Sequence, residues 1–489
     1  MAQKRYVLGM PLATFILLGL FCLLVRLPLL GYLPFVNDEA VYSVMVSEQG
    51  SSPTLVPTLF GYPVSWKMAP FFWLYSFLTP LLGWAGLEAS YRLPSLAFGF
   101  LCIFPLYRIV RHLSDDARAS LACLFFLSSF VSIYPGASLL LDSPAMLLIL
   151  LSIYCYVVKD EPINGGLLAA AAFAFKLVIA FIPPLLAAFA LMLAGRRREL
   201  LGRSFLLSMA LPLSMALINY ALLAPFGGGD QLYFEEIFPR VLAPDASASL
   251  AEWAISSLNT LAYSMGPIFA LSLFGLARYW RSHPLLTVWY ALITIPFMAG
   301  ALYPWYYLPV LPAVCAFAAM ALYNPSKGWK GNLGGLAVAA LAVLASLYLV
   351  SGAYQILNAQ HSPEKEAGLA IAGKENVLII GQFKPGIFAY KEALERGATG
   401  RVLDYGLVVG PQGFGGEEAA DFVLDYHTPQ HAVRDGSFSA LYTSSAIFRK
   451  DTDISRFDYI VLSGDPGFLL RAPLVYGEGG ILVYRVSGD

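Results

Sequence analysis

Asn164-Gly165-Gly166-Leu-Leu-Ala-Ala-Ala-Ala-Phe-Ala-Phe-Lys176-Leu-Val-Ile-Ala-Phe-Ile-Pro183-Pro184-Leu-Leu-Ala-Ala-Phe-Ala-Leu-Met-Leu-Ala-Gly195 is the stretch on which the reading of this chain turns. A membrane-crossing helix needs about 20 apolar residues. This run is too long for one comfortable span and short for two, and Lys176 and Pro183-Pro184 interrupt it near its middle. Basic connections decide between one broken helix and two short spans. Arg108, Arg111 and Arg118 form one cluster, Arg196, Arg197, Arg198 and Arg203 a second, Arg278 and Arg281 a third, and Lys327 and Lys330 a fourth. Counted as two spans, residues 164–195 leave all four clusters on the side of Lys4 and Arg5, as the positive-inside rule requires. Counted as one, they put three of the clusters on the opposite side. Two spans are therefore expected.

Working outward gives a polytopic helical membrane protein of about eleven spans. The first is the apolar run from Tyr6 to Val25, and the rest are near 93–111, 118–136, 143–158, 164–178, 179–195, 204–223, 256–278, 285–302, 305–323 and 333–353. The first run is too long for a signal-peptide core and no small-residue cleavage site follows it, so it reads as a retained span with a cytoplasmic N-terminus. The composition agrees: of 489 residues 58% are hydrophobic and 13% charged, about half the charge of a soluble domain. The net charge of −1 gives no sign of a nucleic-acid partner. Cys22, Cys102, Cys123, Cys155 and Cys315 all lie in apolar runs without a C-x-x-C pair, which excludes a disulfide framework or a thiolate metal site as the organising feature.

Three segments then fall outside: a loop over 32–91, a second over 224–255 with Gly227-Gly228-Gly229 and Glu235-Glu236, and the tail from 354. Within the first, 69–87 is apolar but broken by Pro70, Pro80 and Gly83, and reads as an interfacial or re-entrant helix. Residues 1–353 thus form a transmembrane module and 354–489 a small soluble extracytoplasmic α/β domain. Its predicted elements are a short helix at 364–373, strands at Asn376–Gly381, Arg401–Asp404 and Phe457–Ser463, a helix at 385–396, and a final edge strand at Gly480–Arg485. Gly413-Phe-Gly-Gly416 is a flexible loop, not a phosphate cradle.

Five places carry candidate chemistry, and the predicted topology puts all of them on the outer side. Asn37-Asp38-Glu39 follows the first span; adjacent carboxylates at a membrane face are either solvated or set there as a general base. Their side chains diverge on a helix, so only one is expected to reach a reacting centre. Asp142, in Ser138-Leu-Leu-Leu-Asp142-Ser143-Pro144, reads either as an N-cap or as a functional carboxylate. Lys176 must snorkel outward or find an anion. Lys67 is either a solvated loop lysine or a second cation. Tyr303-Pro-Trp-Tyr306-Tyr307-Leu-Pro309 is the aromatic end of a span, and an interfacial belt is its plain reading. Lysines that hold a phosphate and a carboxylate that takes a proton suit a reaction on a membrane-embedded anion.

These residues, in this order, resemble the GT-C glycosyltransferases, in the branch that holds protein O-mannosyltransferases and lipid A aminoarabinose transferases. The matching features are Asp38-Glu39, Trp66-Lys67-Met-Ala-Pro70 with Phe71-Phe-Trp-Leu74, Arg92-Leu-Pro-Ser95, Asp142, Lys176 and Tyr306-Tyr-Leu-Pro-Val-Leu-Pro312. In the tail they are Gly381-Gln-Phe-Lys-Pro-Gly-Ile-Phe-Ala-Tyr390 and Phe457-Asp-Tyr-Ile-Val. Two departures stand out: Met68-Ala69 replaces the first Pro after the Lys, and the Arg or Lys usual before the late Tyr element is absent from Ala301-Leu-Tyr-Pro-Trp305.

The resemblance implies inverting transfer of a sugar from a polyprenyl-phosphate donor to an acceptor hydroxyl on a protein, lipid or polysaccharide of the cell envelope. Asp38 would be the general base, supported by Glu39. Lys67, Lys176 and Arg92 would hold the donor phosphate, and Asp142, Tyr306 and Tyr307 would contact substrate. No cofactor is expected and the scheme requires no metal; some GT-C relatives use a divalent ion, for which Asp38, Glu39 and Asp142 would be the carboxylates here. A cysteine-free tail suits the cytoplasmic membrane of a prokaryote. A transporter or flippase of the same lipid is the rival reading; it predicts internal repeats, and none is visible.

Overall fold

The computed structural model describes residues 6–7, 9–36, 38–59, 62–64, 67–176, 178–226, 250–297, 304–327, 331–372, 377–381, 387, 390, 406–409, 459–463, 474–478 and 481–485. Trp66, the glycine loop at 227–229, the predicted strand at 401–404, the loop at 413–416 and all of the predicted helix 385–396 except Ile387 and Tyr390 lie outside them.

The chain divides into two compact units: residues 1–30, 92–219 and 237–353 form the first, and 31–91, 220–236 and 354–489 the second. One boundary between the units falls at 353/354, and residues 31–91 and 220–236 group with 354–489.

The first unit is helical. Its elements are α1 (Leu12–Arg26), α4 (Leu87–Leu101) from Arg92 onward, α5 (Ile103–Leu113), α6 (Asp116–Ser128), α7 (Phe130–Gly136), α8 (Asp142–Tyr154), α9 (Pro162–Phe175), α10 (Ile182–Leu193), α11 (Arg203–Leu223) as far as Asn219, α12 (Leu250–Met265), α13 (Pro267–Tyr279), α14 (Pro284–Phe297), α15 (Leu311–Leu322) and α16 (Leu333–Ala370) as far as Ala353. Proline sets many of the starts, since a missing N–H costs nothing in a first helical turn: Pro162, Pro183, Pro267 and Pro312 all stand there. Asp115 caps α6, its carboxylate accepting the Ala117 and Arg118 N–H groups at 3.0 Å. Between α12 and α13 the chain bends by 113° at Gly266, whose φ of +57° a side chain would strain.

Among the described residues five helices are long and apolar enough to cross a membrane, or up to seven if each of two bent pairs is one span. The bent pairs are α6 with α7 and Leu258–Met265 with α13. Four further apolar helices, Pro162–Phe175, Ile179–Leu193, Pro284–Thr294 and Leu311–Leu322, run 10–17 residues. Helix length alone thus supports fewer spans than the charge pattern implies. The stretch that decides the topology is two short helices, broken at Lys176 and joined by a 3-10 turn at Val178–Phe181.

The second unit holds α2 (Asp38–Ser51), α3 (Ala69–Leu81) and a five-stranded sheet. The strands, numbered after the two-residue pairs β1 (Tyr6–Val7), β2 (Met10–Pro11), β3 (Thr58–Leu59) and β4 (Tyr62–Pro63), are β5 (Val377–Gly381), β6 (Gly406–Val409), β7 (Tyr459–Ser463), β8 (Leu474–Glu478) and β9 (Ile481–Arg485). Their order is β6-β5-β7-β9-β8, parallel across β6-β5-β7 and antiparallel across β7-β9-β8. Two expectations are corrected here. The strand at 481–485 is interior, because Leu474–Glu478 pairs outside it. The short helix at 364–373 is the end of α16, a single helix of 38 residues that carries Pro363 inside it.

Candidate active site

In the second unit the paired carboxylates open a helix. Asp38 and Glu39 occupy the first turn of α2, where the exposed N–H groups favour negative charge. Their environments differ. Glu39 is 1% exposed, and its Oε2 accepts the Val36 N–H at 3.4 Å, while its own N–H donates to the Val36 carbonyl at 2.9 Å. Its carboxylate is thereby turned back onto the loop that leads into the helix. Asp38 is half-buried.

One turn after Asp38, on the same face, comes Tyr42. It is 2% exposed and packs edge-on against Phe71 and Phe72 of α3, with centroids 6.0 and 5.8 Å away. The Lys67 ammonium stands 5.3 Å from the Tyr42 ring centroid. A quadrupolar ring face attracts a cation in that position. Asp38, Tyr42 and Lys67 therefore form one local grouping of a carboxylate, a π face and an ammonium. Sequence reading gave Tyr42 no role; its i+4 spacing from Asp38 was the available signal.

The first unit holds a second grouping. Helix α8 starts at Asp142 itself, not after it, so the N-cap reading of Asp142 fails: the cap position is Leu141, and no side chain caps there. The Asp142 carboxylate instead receives the ammonium of Lys176. Lys176 lies just past the end of α9, with extended backbone (φ −146°, ψ 90°) and its N–H on the Ala172 carbonyl at 2.9 Å. That non-helical residue turns its side chain out of an apolar run. The ammonium also stands 4.6 Å from the Tyr306 ring centroid. Tyr306 and the fully buried Tyr307 belong to one 3-10 turn, Pro304–Tyr307, whose Trp305 stacks on Tyr134 at 5.2 Å. Lys176 has thus found an anion and a π face. The aromatic run that reads as an interfacial belt lines it.

Two buried arginines precede this region in sequence. Arg92, which the resemblance assigns to the donor phosphate, is 1% exposed, and its Nη1 donates to the Leu30 carbonyl at 2.7 Å. Burial and that bond tie it to the chain that follows α1. Arg26 is fully buried; its Nη2 donates to Ser132 Oγ at 2.7 Å and reaches the Leu127 carbonyl at 3.5 Å.

Among the described residues no three His, Cys, Asp or Glu side chains gather as a metal site would require. A cavity of about 710 Å³, bordered by Tyr156, Asp160, Arg196, Arg203 and His283, holds none of the candidate residues.

The family model for dolichyl-phosphate-mannose-protein mannosyltransferase matches residues 69–221, which include Arg92, Asp142 and Lys176 and exclude Asp38 and Lys67. No curated protein matches the sequence. The structure is similar to that of ArnT from Cupriavidus metallidurans bound to undecaprenyl phosphate, with a TM-score of 0.68 at 16% identity over 97% of this chain and 98% of that one. For the apo state of the same protein the TM-score is 0.66 at 14% identity, over 96% and 97% of the two chains. An Archaeoglobus fulgidus oligosaccharyltransferase in complex with Zn and sulfate matches with a TM-score of 0.50 at 14% identity, over 92% of this chain and 68% of that one.

Proposed function

We propose that this chain, an integral membrane protein with the fold of the GT-C glycosyltransferases, transfers a sugar with inversion from a polyprenyl-phosphate donor to an acceptor hydroxyl at the outer face of the membrane. The observation that carries the reading is the grouping of Asp38, Tyr42 and Lys67, a half-buried carboxylate one helical turn from a ring that holds an ammonium. The lipid follows from chemistry and from likeness. The apolar helices put the chain in a bilayer, and the protein of similar fold was crystallised with undecaprenyl phosphate.

In this scheme Asp38 accepts the proton of the acceptor hydroxyl as its oxygen bonds to the anomeric carbon. The bond from that carbon to the phosphate oxygen breaks, and its electron pair leaves with the phosphate. Negative charge grows on the leaving group in the transition state, where fixed cations act most strongly. Lys67, set over Tyr42, is one such cation. Lys176, held by Asp142 and the Tyr306 ring, is the cation of the first unit that the resemblance assigns to the donor phosphate. Glu39 fixes the loop before α2 and does not share the proton transfer. Arg92 supports the backbone at Leu30. The N-terminus is cytoplasmic and the tail lies outside, as the basic connections require.

The test is sugar release from a panel of radiolabelled polyprenyl-phosphate sugars by purified protein, comparing wild type with Asp38→Asn. Transfer or hydrolysis by the wild type alone supports the reading and identifies the sugar. Equal turnover by both proteins removes Asp38 as the base. Inert proteins that still bind or translocate the lipid would return the flippase.

A further inference from the structure

The second unit contains a buried polar cluster that the scheme above does not use. Tyr390, from the tail, is fully buried. Its hydroxyl donates to Glu88 Oε1 at 2.9 Å and accepts the Phe35 N–H at 2.9 Å. Lys365 of α16 donates to the same Glu88 oxygen at 2.6 Å and stands 5.4 Å from the Tyr390 ring centroid. The Phe35 ring, also fully buried, lies between Tyr390 at 5.3 Å and Tyr91 at 5.4 Å. One tyrosine hydroxyl therefore satisfies both a loop amide 355 positions away and a carboxylate 302 positions away.

Phe35 precedes Asp38 by only three residues. Val36, between them, exchanges hydrogen bonds with Glu39 in both directions. The hydrogen bonds from Tyr390 toward Asp38 thus run Tyr390 to the Phe35 N–H, then Val36 to Glu39 in the first turn of α2. Without the hydroxyl the fully buried Phe35 N–H loses this acceptor, a loss that weakens the hold on the loop.

We infer that Tyr390 is a positioning residue for the reaction: through the Phe35 amide it fixes the loop that sets the Asp38 carboxylate, and so makes the tail part of the catalytic scaffold. The inference rests on the function proposed above. The cluster has two anchors, and they act differently. Lys365 stabilises Glu88 without touching the loop, whereas Tyr390 touches both. Misplacing a reacting group by about 1 Å can cost on the order of 10²-fold in rate.

The experiment compares Tyr390→Phe, Lys365→Met and Asp38→Asn in the full-length protein, using whichever polyprenyl-phosphate sugar the wild type turns over. Rates are counted per folded molecule, with the folded fraction measured by thermal unfolding. Tyr390→Phe is expected to lower kcat by roughly ten- to a hundredfold with KM for the donor unchanged within about twofold. Lys365→Met is expected to lower the unfolding temperature and leave kcat within about twofold, since it loses an ion pair but not the loop contact. Wild-type kcat in Tyr390→Phe, beside an inert Asp38→Asn, overturns the inference and leaves the proposed function standing. So does an equal loss of kcat in Tyr390→Phe and Lys365→Met, which marks a shared structural role. Full activity in Asp38→Asn removes Asp38 as the base and with it the inference, while sugar transfer itself stands.

Discussion

Lys176 meets Asp142 across 34 positions of sequence, one residue past the end of α9 and the other at the first position of α8. The side chains are 20% and 6% exposed, so the pair is largely withdrawn from water. Its two charges depend on each other: removing either leaves a poorly solvated ion.

That dependence sets the first prediction. Lys176→Met or Asp142→Asn alone should destabilise the protein by about 3–5 kcal/mol, the usual cost of breaking a buried pair from one side. The double variant should recover most of that stability, because neither stranded charge remains. It should not recover transfer, because the cation proposed to face the leaving phosphate is gone. Thermal unfolding in detergent and donor turnover, measured on all three proteins, check both halves.

Asp38 and Glu39 should respond in opposite ways to loss of charge. Asp38→Asn removes a general base and should lower kcat by roughly 10²–10⁴-fold without unfolding the protein. Glu39→Gln keeps an oxygen that can accept the Val36 N–H, so its kcat should stay within about tenfold of wild type. Steady-state kinetics on the two variants separate the roles. Equal and severe losses would show that the carboxylates act as a unit.

How far the sequence carried the site follows from what kind of information each residue needs. Asp142 and Lys176 stood out because an ionisable group in an apolar run must find a partner. Their mutual pairing depends on how α8 and α9 pack, which no local pattern encodes. The Ser143-Pro144 start signal pointed to a cap at Asp142; the helix begins one residue earlier and takes that carboxylate into its first turn. Tyr42 was hidden because a tyrosine in a buried helix reads as ordinary packing. Tyr390 and Glu88 lie 302 positions apart, beyond any periodicity argument. In the tail, Val377–Gly381 and Tyr459–Ser463 fall where their β-branched runs predict, whereas Leu474–Glu478, with Gly477 inside it, carries too weak a pattern to mark the true edge.

Lys67 is proposed to stabilise charge on the leaving phosphate, and the Tyr42 ring to hold it in place. Lys67→Met should lower kcat by roughly 10²–10³-fold, the scale found when one transition-state donor is removed. Tyr42→Leu keeps the cation but loses the ring face, a contact of about 0.5–2 kcal/mol, so its effect should be smaller, roughly 2- to 30-fold. Kinetics with the preferred donor check the ranking. An equal loss in both would mean that Tyr42 contacts substrate directly.

Arg26 offers a test of packing that does not depend on the chemistry. Its guanidinium is fully buried, and Nε and Nη1 have no hydrogen-bond partner among the described residues. It fits because Gly136 leaves the space: a Cβ there would stand 2.2 Å from Nη1. Gly136→Ala must therefore push the guanidinium aside and strain its bond to Ser132, and should cost about 1–3 kcal/mol. Arg26→Met takes away the buried charge and the clash together. In that background Gly136→Ala should cost far less, giving a coupling of at least about 1 kcal/mol in a double-mutant cycle read by thermal or denaturant unfolding. Simple additivity would mean that the helices part to admit the methyl group and that the glycine is not what seats the arginine.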